Sequence, residues 1–390
     1  MIKRELEKEL KYTASKFPAV AVLGPRQSGK TTLTKAAFSK YTYVSLENIS
    51  IRKFAQEDPQ GFLKKYKNKH GIILDEIQNA PDILSYMQIY IDEQKKTGYF
   101  IITGSQNFLL NQAITQTLAG RIAILTLLPL STQELAKENL LSDNIEKNIF
   151  NGGYPRIYDE KIPPTKWVPN YIRTYIERDV RQIQNVTDLT LFQTFIKLCA
   201  GRIGQLLNLT SLGNDCGIST GTVKKWLSLL EASYILFLLQ PHYKNFSKRL
   251  VKSPKLYFYD TAIACSLLGL TSPEQVSTHY MRGNLFESYI LSEFAKQYYN
   301  KGELPSLYFW RDKHGHEIDC IIEQGDKLTP VEVKAGQTIN KSFFENIAYW
   351  NRLSGQNPKD SFVVYAGDDE QRRKTGHVVN WKLINKVFKK

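Results

Sequence analysis

A glycine-rich segment, GPRQSGKTT at positions 24–32, has the residue types and spacing of a phosphate-binding loop. It follows the apolar run 19–23 and precedes a helix-forming stretch, 30–41. Glycines let the backbone turn successive N–H groups towards phosphate oxygens, and the following helix adds the positive end of its dipole. We expect Lys30 to reach the β and γ oxygens of ATP and Thr31 to ligate Mg²⁺. The predicted ATP-binding residues are Gly24, Pro25, Arg26, Gln27, Ser28, Gly29, Lys30, Thr31 and Thr32.

A second segment, GIILDEIQ at 71–78, predicts the acidic half of the same site. It is an apolar strand whose last residues are Asp75 and Glu76. Asp75 is expected to hold the magnesium through water, and Glu76 is placed to polarise the water that attacks the γ-phosphate. Two acids at a strand end are by themselves ordinary solvated residues. After a complete phosphate loop, they indicate a catalytic pair.

Strand-like and helix-like runs alternate over the first 160 residues, which predicts an α/β fold with a parallel sheet. The chain resembles the additional-strand branch of P-loop ATPases in two features. Glu76 directly follows Asp75, and an extra strand lies between Lys30 and that pair. In AAA+ ATPases the tip of the next strand carries the sensor for the γ-phosphate. The resemblance makes Thr103 and Ser105 the sensor candidates, with a plain strand-end turn as the alternative.

Arg121 stands at the start of what the pattern predicts as the last strand of that sheet. One interpretation is an arginine finger, which stabilises transition-state charge in a neighbouring subunit and makes hydrolysis depend on assembly. The alternative is an ion pair within the same chain at the strand edge. Arg156 and Arg178 are rival finger candidates.

The middle of the chain changes character after the proline-rich stretch 161–169, which predicts a domain boundary. Residues 206–234 are typical of two helices joined by a turn at 217–219, and two β-like runs follow, as in a winged helix. Lys224 and Lys225 lie on the second helix and are candidate phosphate contacts. The alternative is a packing module that reads no DNA.

The last unit carries two carboxylates and a lysine in the order of a PD-(D/E)xK nuclease core. Asp319 lies in one predicted strand, and Glu332 and Lys334 share a face of the next. Asp319 and Glu332 are expected to hold Mg²⁺ while Lys334 neutralises a phosphodiester, with Glu287 from a preceding helix completing the metal shell. The alternatives are a hairpin with solvated charges and a nuclease fold kept only for binding.

Composition sets the remaining limits. The 390 residues predict two or three domains, and we place them at 1–160, 161–278 and 279–390. A formal net charge of +14 favours anionic partners without locating a binding face. No apolar run approaches the roughly 20 residues that cross a bilayer, the N-terminus lacks a secretory pattern, and four scattered cysteines suit a reducing compartment. We therefore expect a cytoplasmic protein without a membrane partner.

Nearly the whole chain resembles the prokaryotic AAA+ family ATPases with a C-terminal domain of unknown function of restriction-endonuclease-like fold. The segments that carry the resemblance are GPRQSGKT, ILDEIQ, TGSQNFLL, LAGR, PLSTQE, GGYPR, YIERDV, KRLVKSPKLYFYD, GNLFESYI, EIDCII and VEVK. The resemblance implies an ATPase module, a winged-helix linker and a nuclease-like module, in that order. We expect a Mg²⁺-dependent ATPase that forms homo-oligomers and couples its nucleotide state to nucleic-acid binding, with or without cleavage, and with DNA favoured over RNA. The alternative is a nucleotide-dependent switch or scaffold that recruits a protein partner and does not cleave.

Overall fold

The computed structural model describes residues 2–105, 114, 116–176, 188–242 and 252–388. Its N-terminal part alternates helices and strands as the hydrophobic pattern predicts. These elements are α1 (Leu6–Ala14), β1 (Ala19–Gly24), α2 (Lys30–Ala37), β2 (Thr42–Ser45), α3 (Ile49–Glu57), α4 (Pro59–Lys65), β3 (Ile72–Asp75), α5 (Ile83–Gln94), β4 (Phe100–Ser105) and β5 (Ile122–Thr126). Two candidate positions fall outside the described part: Arg178, and the side chain of Ser105.

The N-terminal strands form one five-stranded sheet in the order β2-β3-β4-β1-β5. All four neighbouring pairs are parallel. Every residue of β1 and β3 is buried, as expected for a parallel sheet with helices on both faces. The strand predicted between Lys30 and the acidic pair is β2, and the predicted α/β fold class is confirmed. Strand β4 lies between β1 and β3 in the sheet. The carboxyl ends of β1, β3 and β4 meet at one edge, which positions the site.

Helices make up the middle of the chain. They are α6 (Thr132–Lys137), α7 (Ile145–Asn151), α8 (Pro155–Asp159), α9 (Pro164–Tyr171), α10 (Leu189–Ala200), α11 (Leu209–Cys216) and α12 (Thr220–Ala232). The predicted two-helix unit is α11 and α12. Gly217 ends α11 with φ +73°, a conformation that glycine adopts at little cost. Ser219 then caps α12 by accepting a hydrogen bond from the N–H of Thr222.

The C-terminal part is built on a mixed eight-stranded sheet in the order β12-β13-β11-β10-β9-β8-β6-β7. Its strands are β6 (Leu236–Pro241), β7 (Lys255–Phe258), β8 (Leu307–Arg311), β9 (Glu317–Gln324), β10 (Lys327–Lys334), β11 (Phe362–Tyr365), β12 (Gln371–Arg373) and β13 (Gly376–Asn380). Its helices are α13 (Thr261–Leu267), α14 (Pro273–Thr278), α15 (Arg282–Tyr299) and α16 (Glu345–Ser354).

Strands β6 and β7 differ from the separate wing that the sequence suggested. They pair with each other in antiparallel fashion, but β6 also pairs in parallel with β8. Both strands therefore belong to the C-terminal sheet, and every residue of β7 is buried there. The pattern after α12 was ambiguous because two short apolar strands fit a wing and a sheet edge equally well. The boundary at 278 remains a prediction.

A single apolar cluster connects the middle and the C-terminal parts. It extends from Leu128 to Val387 and includes the inward faces of α10, α12 and α15. Separate clusters fill the two faces of the N-terminal sheet. Within the residues that the structure describes, no helix is both long enough and apolar enough to cross a bilayer.

Candidate functional site

The phosphate-binding loop occupies the turn between β1 and α2. Gly24 ends β1 with φ +151°, and a Cβ atom there would lie 2.2 Å from the carbonyl oxygen of Leu127. Gly29, with φ +94°, takes the N-cap position of α2. Neither position accepts a larger residue without strain, because the first is crowded by backbone and the second lies in the left-handed region. The sequence needs both glycines to bend the chain sharply over the sheet edge.

The cationic half of the loop is Lys30. Its ammonium donates hydrogen bonds to the carbonyl oxygens of Gly24, at 3.1 Å, and Pro25, at 2.8 Å. Helix α2 starts at this residue, and its glycine N-cap offers no side chain to the first N–H groups. An uncapped helix N-terminus beside a lysine is an arrangement that favours an anion. Lys30 and the start of α2 thus lie together at the predicted loop, and phosphate binding there stays a prediction.

Asp75 lies opposite the loop, at the end of β3, and is buried. Its carboxylate accepts the Thr31 hydroxyl at 2.9 and 3.2 Å and the Tyr43 hydroxyl at 2.7 Å. The Thr103 hydroxyl donates to the same carboxylate. The structure thus brings Thr31, Asp75 and Thr103 together, as the sequence predicted. A hydroxyl and a carboxylate facing one another are oxygen ligands of the kind Mg²⁺ accepts alongside phosphate oxygens and water, so these residues fit the metal.

Glu76 follows Asp75 in a left-handed backbone conformation, φ +58° and ψ +49°. Its carboxylate accepts a hydrogen bond from the Gln78 side chain. Burial raises the pKa of Glu76 above its ordinary value, and nearby Lys30 and Arg26 oppose that rise. A non-glycine residue rarely adopts this conformation, because it strains the backbone. Such strained residues occur most often at functional sites. The chain turns out of the strand directly after Asp75.

The remaining nucleotide-site candidates occupy different places. Ser105 pairs with Gly24 in the β-sheet register, so its backbone adjoins the loop. Arg121 precedes β5 at the opposite edge of the sheet, where Ile122 pairs with the first residue of β1. Its guanidinium contacts both oxygens of Asp92 on α5, at 2.6 and 2.9 Å. This is the intramolecular ion pair that was the alternative to a finger.

Among the rival finger candidates, Arg156 is paired with Glu160 at 2.7 Å on α8, and Arg178 lies outside the described residues. The structure has one chain, so a role for any of these arginines across a subunit interface stays a prediction.

Two residues that were not predicted from the sequence donate hydrogen bonds to backbone carbonyl groups of the loop. Arg4 donates to the carbonyl oxygens of Ser28, at 2.6 Å, and Leu128, at 2.7 Å, and to the Glu134 carboxylate at 2.9 Å. The Tyr171 hydroxyl, from α9, donates to the Arg26 carbonyl oxygen at 3.3 Å. Neither residue belongs to a motif. Only the tertiary fold brings them to the loop, so nothing local in the sequence marks them.

The predicted nuclease-like residues also come together, on α15, β9 and β10. The hairpin turn pairs Gln324 with Lys327 and Cys320 with Val331, which places Asp319 beside the second strand. Asp319 accepts the Val333 N–H at 2.8 Å. The ammonium of Lys334 lies 3.5 Å from the Asp319 carboxylate and contacts that of Glu332. The two predicted strands are therefore paired neighbours in the sheet.

Three further residues join this group, although none was predicted to be a site residue: Lys255, Tyr257 and Glu317. Lys255 and Tyr257, on one face of β7, both contact the Glu287 carboxylate, Lys255 at 3.3 Å. Lys255 also pairs with Glu317 on β9. We call Lys255, Glu287, Glu317, Asp319, Glu332 and Lys334 the C-terminal cluster. The predicted role of Glu287 in a metal shell remains untested, but its partners here are a lysine and a tyrosine.

The electrostatics of the C-terminal cluster reflect crowded buried carboxylates. Burial raises the pKa of Glu287 to about 7, against the opposing effect of Lys255. Burial and the nearby Asp319 raise the pKa of Glu332 well above its usual range. For Lys334, burial alone lowers the pKa, but Asp319 and Glu332 outweigh it and raise it. Within the described residues, no three His, Cys, Asp or Glu side chains are arranged as a ready metal cage.

Family models match three consecutive segments. An AAA domain matches residues 16–136, a domain of unknown function (DUF8612) matches 142–274, and another (DUF4143) matches 282–384. The chain thus contains a segment that matches an AAA domain, followed by a segment that matches DUF8612 and a C-terminal segment that matches DUF4143. The AAA domain carries the phosphate loop and Asp75, and the DUF4143 domain carries every residue of the C-terminal cluster except Lys255.

Similar proteins are known from bacteria and archaea. An uncharacterized protein of Mycobacterium tuberculosis is 25% identical over 342 residues, covering 86% of this chain and 74% of the relative. One from Methanocaldococcus jannaschii is 26% identical over 398 residues, covering 87% and 80%. Among solved structures, the Walker-type ATPase PABY2304 of Pyrococcus abyssi aligns with a TM-score of 0.46 and 15% identity, covering 68% of this chain and 96% of the other.

Proposed function

We propose that this protein is a Mg²⁺-dependent ATPase that couples ATP binding and hydrolysis to nucleic-acid binding by its DUF4143 domain. The observation that carries the ATPase half is the convergence of Thr31, Thr103 and Asp75 opposite Lys30. Lys30 and the α2 N–H groups hold the phosphates, and Asp75 and Thr31 hold the metal. Bound Mg²⁺ supplies charge neutralisation at the β and γ oxygens.

Glu76 is the residue to which we assign water activation. Burial raises its pKa, which makes the carboxylate a stronger base, and Gln78 donates a hydrogen bond that orients it. Because of the left-handed turn at Glu76, Asp75 belongs to the strand and Glu76 does not. We therefore assign the metal to Asp75 and leave the Glu76 carboxylate for the water.

The nucleic-acid half is supported by the C-terminal cluster and by the net charge of +14. Two lysines and four carboxylates, contributed by β7, β9, β10 and α15, lie together, a composition that suits a phosphodiester and a divalent cation. The cytoplasm and a homo-oligomeric state belong to the same proposal. DNA is the favoured ligand, on the resemblance of α11 and α12 to a helix-turn-helix pair.

A second candidate is a nucleotide-dependent switch whose DUF4143 domain binds without cleaving. The observation that favours it is that Lys255 and Lys334 already contact the carboxylates that a catalytic metal would need. In this case ATP binding changes the conformation of the protein, and a protein partner binds one of the conformations.

The ATPase half is tested by calorimetric binding of a non-hydrolysable ATP analogue and by phosphate release. Lys30→Ala should abolish binding, whereas Lys35→Ala, on the same helix, is the matched control and should not. Glu76→Gln should bind the analogue normally and turn over roughly 10²–10⁴-fold more slowly, the usual contribution of a general base. Normal turnover in Glu76→Gln would overturn the assignment of Glu76.

The nucleic-acid half is tested by fluorescence anisotropy with labelled single- and double-stranded DNA and RNA, each with and without the analogue. Coupling predicts an affinity that depends on the nucleotide, and Lys334→Ala should weaken it. Cleavage assays with Mg²⁺ or Mn²⁺ then separate the candidates. Binding of none of these nucleic acids in any nucleotide state would remove this half and favour the switch.

A further inference from the structure

Lys255 enters the C-terminal cluster from a strand that the sequence assigned to another unit. It is the first residue of β7 and is 3% exposed. Strand β7 reaches the cluster because its neighbour β6 pairs with β8, next to β9. Burying a lysine is costly unless its charge is compensated. The position of Lys255 is therefore determined by the groups around its ammonium.

Those groups are two carboxylates from separate elements. Its ammonium lies 3.3 Å from Glu287 on α15 and forms an ion pair with Glu317 on β9. Arg311 contacts the other oxygen of Glu317 at 3.1 Å, and Tyr257 donates to the same oxygen of Glu287 as Lys255 does. The carboxylates of Glu287 and Glu317 thus converge on one nitrogen, in the way that two acidic ligands converge on a divalent cation.

The other half of the cluster is less completely paired. Glu332 is 1% exposed, and its Oε1 atom has no hydrogen-bond partner among the described residues, while Oε2 contacts Lys334. Asp319, which stands next to it in the cluster, has one oxygen that accepts the Val333 N–H. A buried carboxylate oxygen without a donor is costly unless something else binds it. A cation is the ligand whose charge suits that position.

We propose that Lys255 is a built-in cation that takes the place of a divalent metal between Glu287 and Glu317, so that the cluster binds one divalent ion, at Asp319 and Glu332. The proposal deepens the proposed function, since it rests on the cluster being a metal and phosphodiester site. In this arrangement Glu287 is not a metal ligand. It holds the buried ammonium of Lys255, and the more exposed Lys334 is the lysine that faces a phosphodiester.

The test counts Mn²⁺ ions bound to the nucleotide-free full-length protein, by electron paramagnetic resonance of the free ion. Lys255→Met should bind one ion more than the wild type, because Glu287 and Glu317 then lack a cation. Lys255→Arg keeps the charge and should match the wild-type count. Lys197→Met removes one exposed lysine charge from α10 and is the matched control, with no gain expected.

A second comparison does not depend on how well Lys255→Met folds. Asp319→Asn should lose one ion, whereas Glu287→Gln should keep the wild-type number, because Lys255 already satisfies that half. A lower count in Glu287→Gln would overturn the proposal, and so would a folded Lys255→Met protein without the extra ion. Loss of no ion in Asp319→Asn, together with a gain in Lys255→Met, would reject the metal site of the proposed function and retain the role of Lys255.

Discussion

Asp75 and Glu76 are neighbours in the sequence, yet the backbone gives them different surroundings. Asp75 is the last residue of β3 and is fixed by three hydroxyl donors. Glu76 has already turned out of the strand, and burial raises its pKa. A fixed, hydrogen-bonded carboxylate suits a metal shell, whereas a carboxylate with a raised pKa suits proton transfer. One residue of chain separates the two roles.

Glu287 gives the clearest pH dependence at the residue scale. Burial raises its pKa from an ordinary 4.5 to about 7. Between those pH values the folded protein keeps a proton that the unfolded chain has lost, so the free energy of unfolding falls as the pH rises through this window. The Gln side chain of Glu287→Gln cannot titrate. The melting temperature of the variant, relative to that of the wild type, should therefore increase as the pH rises from 4.5 to 7. The gain corresponds to about 1–3 kcal/mol at full effect.

Thermal melts followed by circular dichroism, at pH intervals across the window, measure this difference. Glu303→Gln changes an exposed acid just after α15 and should not alter the pH profile. A constant difference between Glu287→Gln and the wild type across the window would show that Glu287 is ionised throughout.

Sequence reasoning found the residues whose chemistry depends on local order. The loop from Gly24 to Thr32, the Asp75–Glu76 pair and the Glu332–Lys334 pair each lie within one turn or one strand, so spacing alone predicts their arrangement. Lys255 and Arg4 could not be found in this way. Each reaches its site through strand pairing or helix packing across many residues, and an isolated lysine or arginine has no pattern that distinguishes it.

At the scale of elements, Arg4 connects three pieces of the fold. It holds the loop through Ser28, the chain after β5 through Leu128, and α6 through Glu134. Both Arg4 and Glu134 are buried, at 7% and 1% exposure. The capping box of α6, formed by Ser131 and Glu134, fixes the acid that receives the guanidinium. The phosphate loop is thereby tied to a helix outside the sheet.

Arg4→Met should leave Glu134 buried without its partner and release the Ser28 carbonyl group. Breaking a buried ion pair costs about 3–5 kcal/mol, and we expect the Kd for an ATP analogue to rise about tenfold, which corresponds to 1.4 kcal/mol. Arg4→Lys should recover part of the affinity because it keeps the charge. Calorimetry and thermal melts measure both effects.

Lys8→Met is the matched control, since Lys8 is exposed on α1. A lower melting temperature with unchanged nucleotide affinity would mean that Arg4 supports the fold without positioning the loop.

The elements themselves were predicted unequally. The two helices expected within 206–234 are observed as α11 and α12, and the turn between them lies at the predicted residues 217–219. The strands β6 and β7 were recognised, but their sheet was not. Two short apolar strands have the same pattern in a wing and at the edge of a larger sheet, and only the pairing of β6 with β8 decides between them.

At the scale of the whole molecule, the C-terminal part is packed firmly onto the rest. On α15, Glu293 accepts the Thr132 N–H at 2.7 Å and Lys296 donates to the Leu130 carbonyl oxygen at 3.0 Å. The two side chains also pair with each other at 2.6 Å. Asp260, beside them, accepts the Gly153 N–H at 2.7 Å. Buried polar contacts of this kind fix orientation as well as distance.

A protein truncated after residue 278 should therefore not fold as a stable unit. The cut removes α15 and β8–β13, and with them a large share of the apolar cluster that extends from Leu128 to Val387. We expect aggregation in size-exclusion chromatography and a loss of the cooperative thermal transition, compared with the full chain. A soluble monomeric fragment that melts within a few degrees of the full protein would contradict this expectation.

The short stretch from Leu127 to Glu134 touches both ends of the molecule. Its first residue lies against Gly24, its last receives Arg4, and the residues between them are held by Lys296 and Glu293. A chimera that takes its C-terminal domain from one of the similar proteins must therefore also take this stretch and α1 from that protein. Otherwise the transplanted α15 will lack the hydrogen-bond partners that this stretch provides. The resulting shift of the stretch will also displace the nucleotide loop.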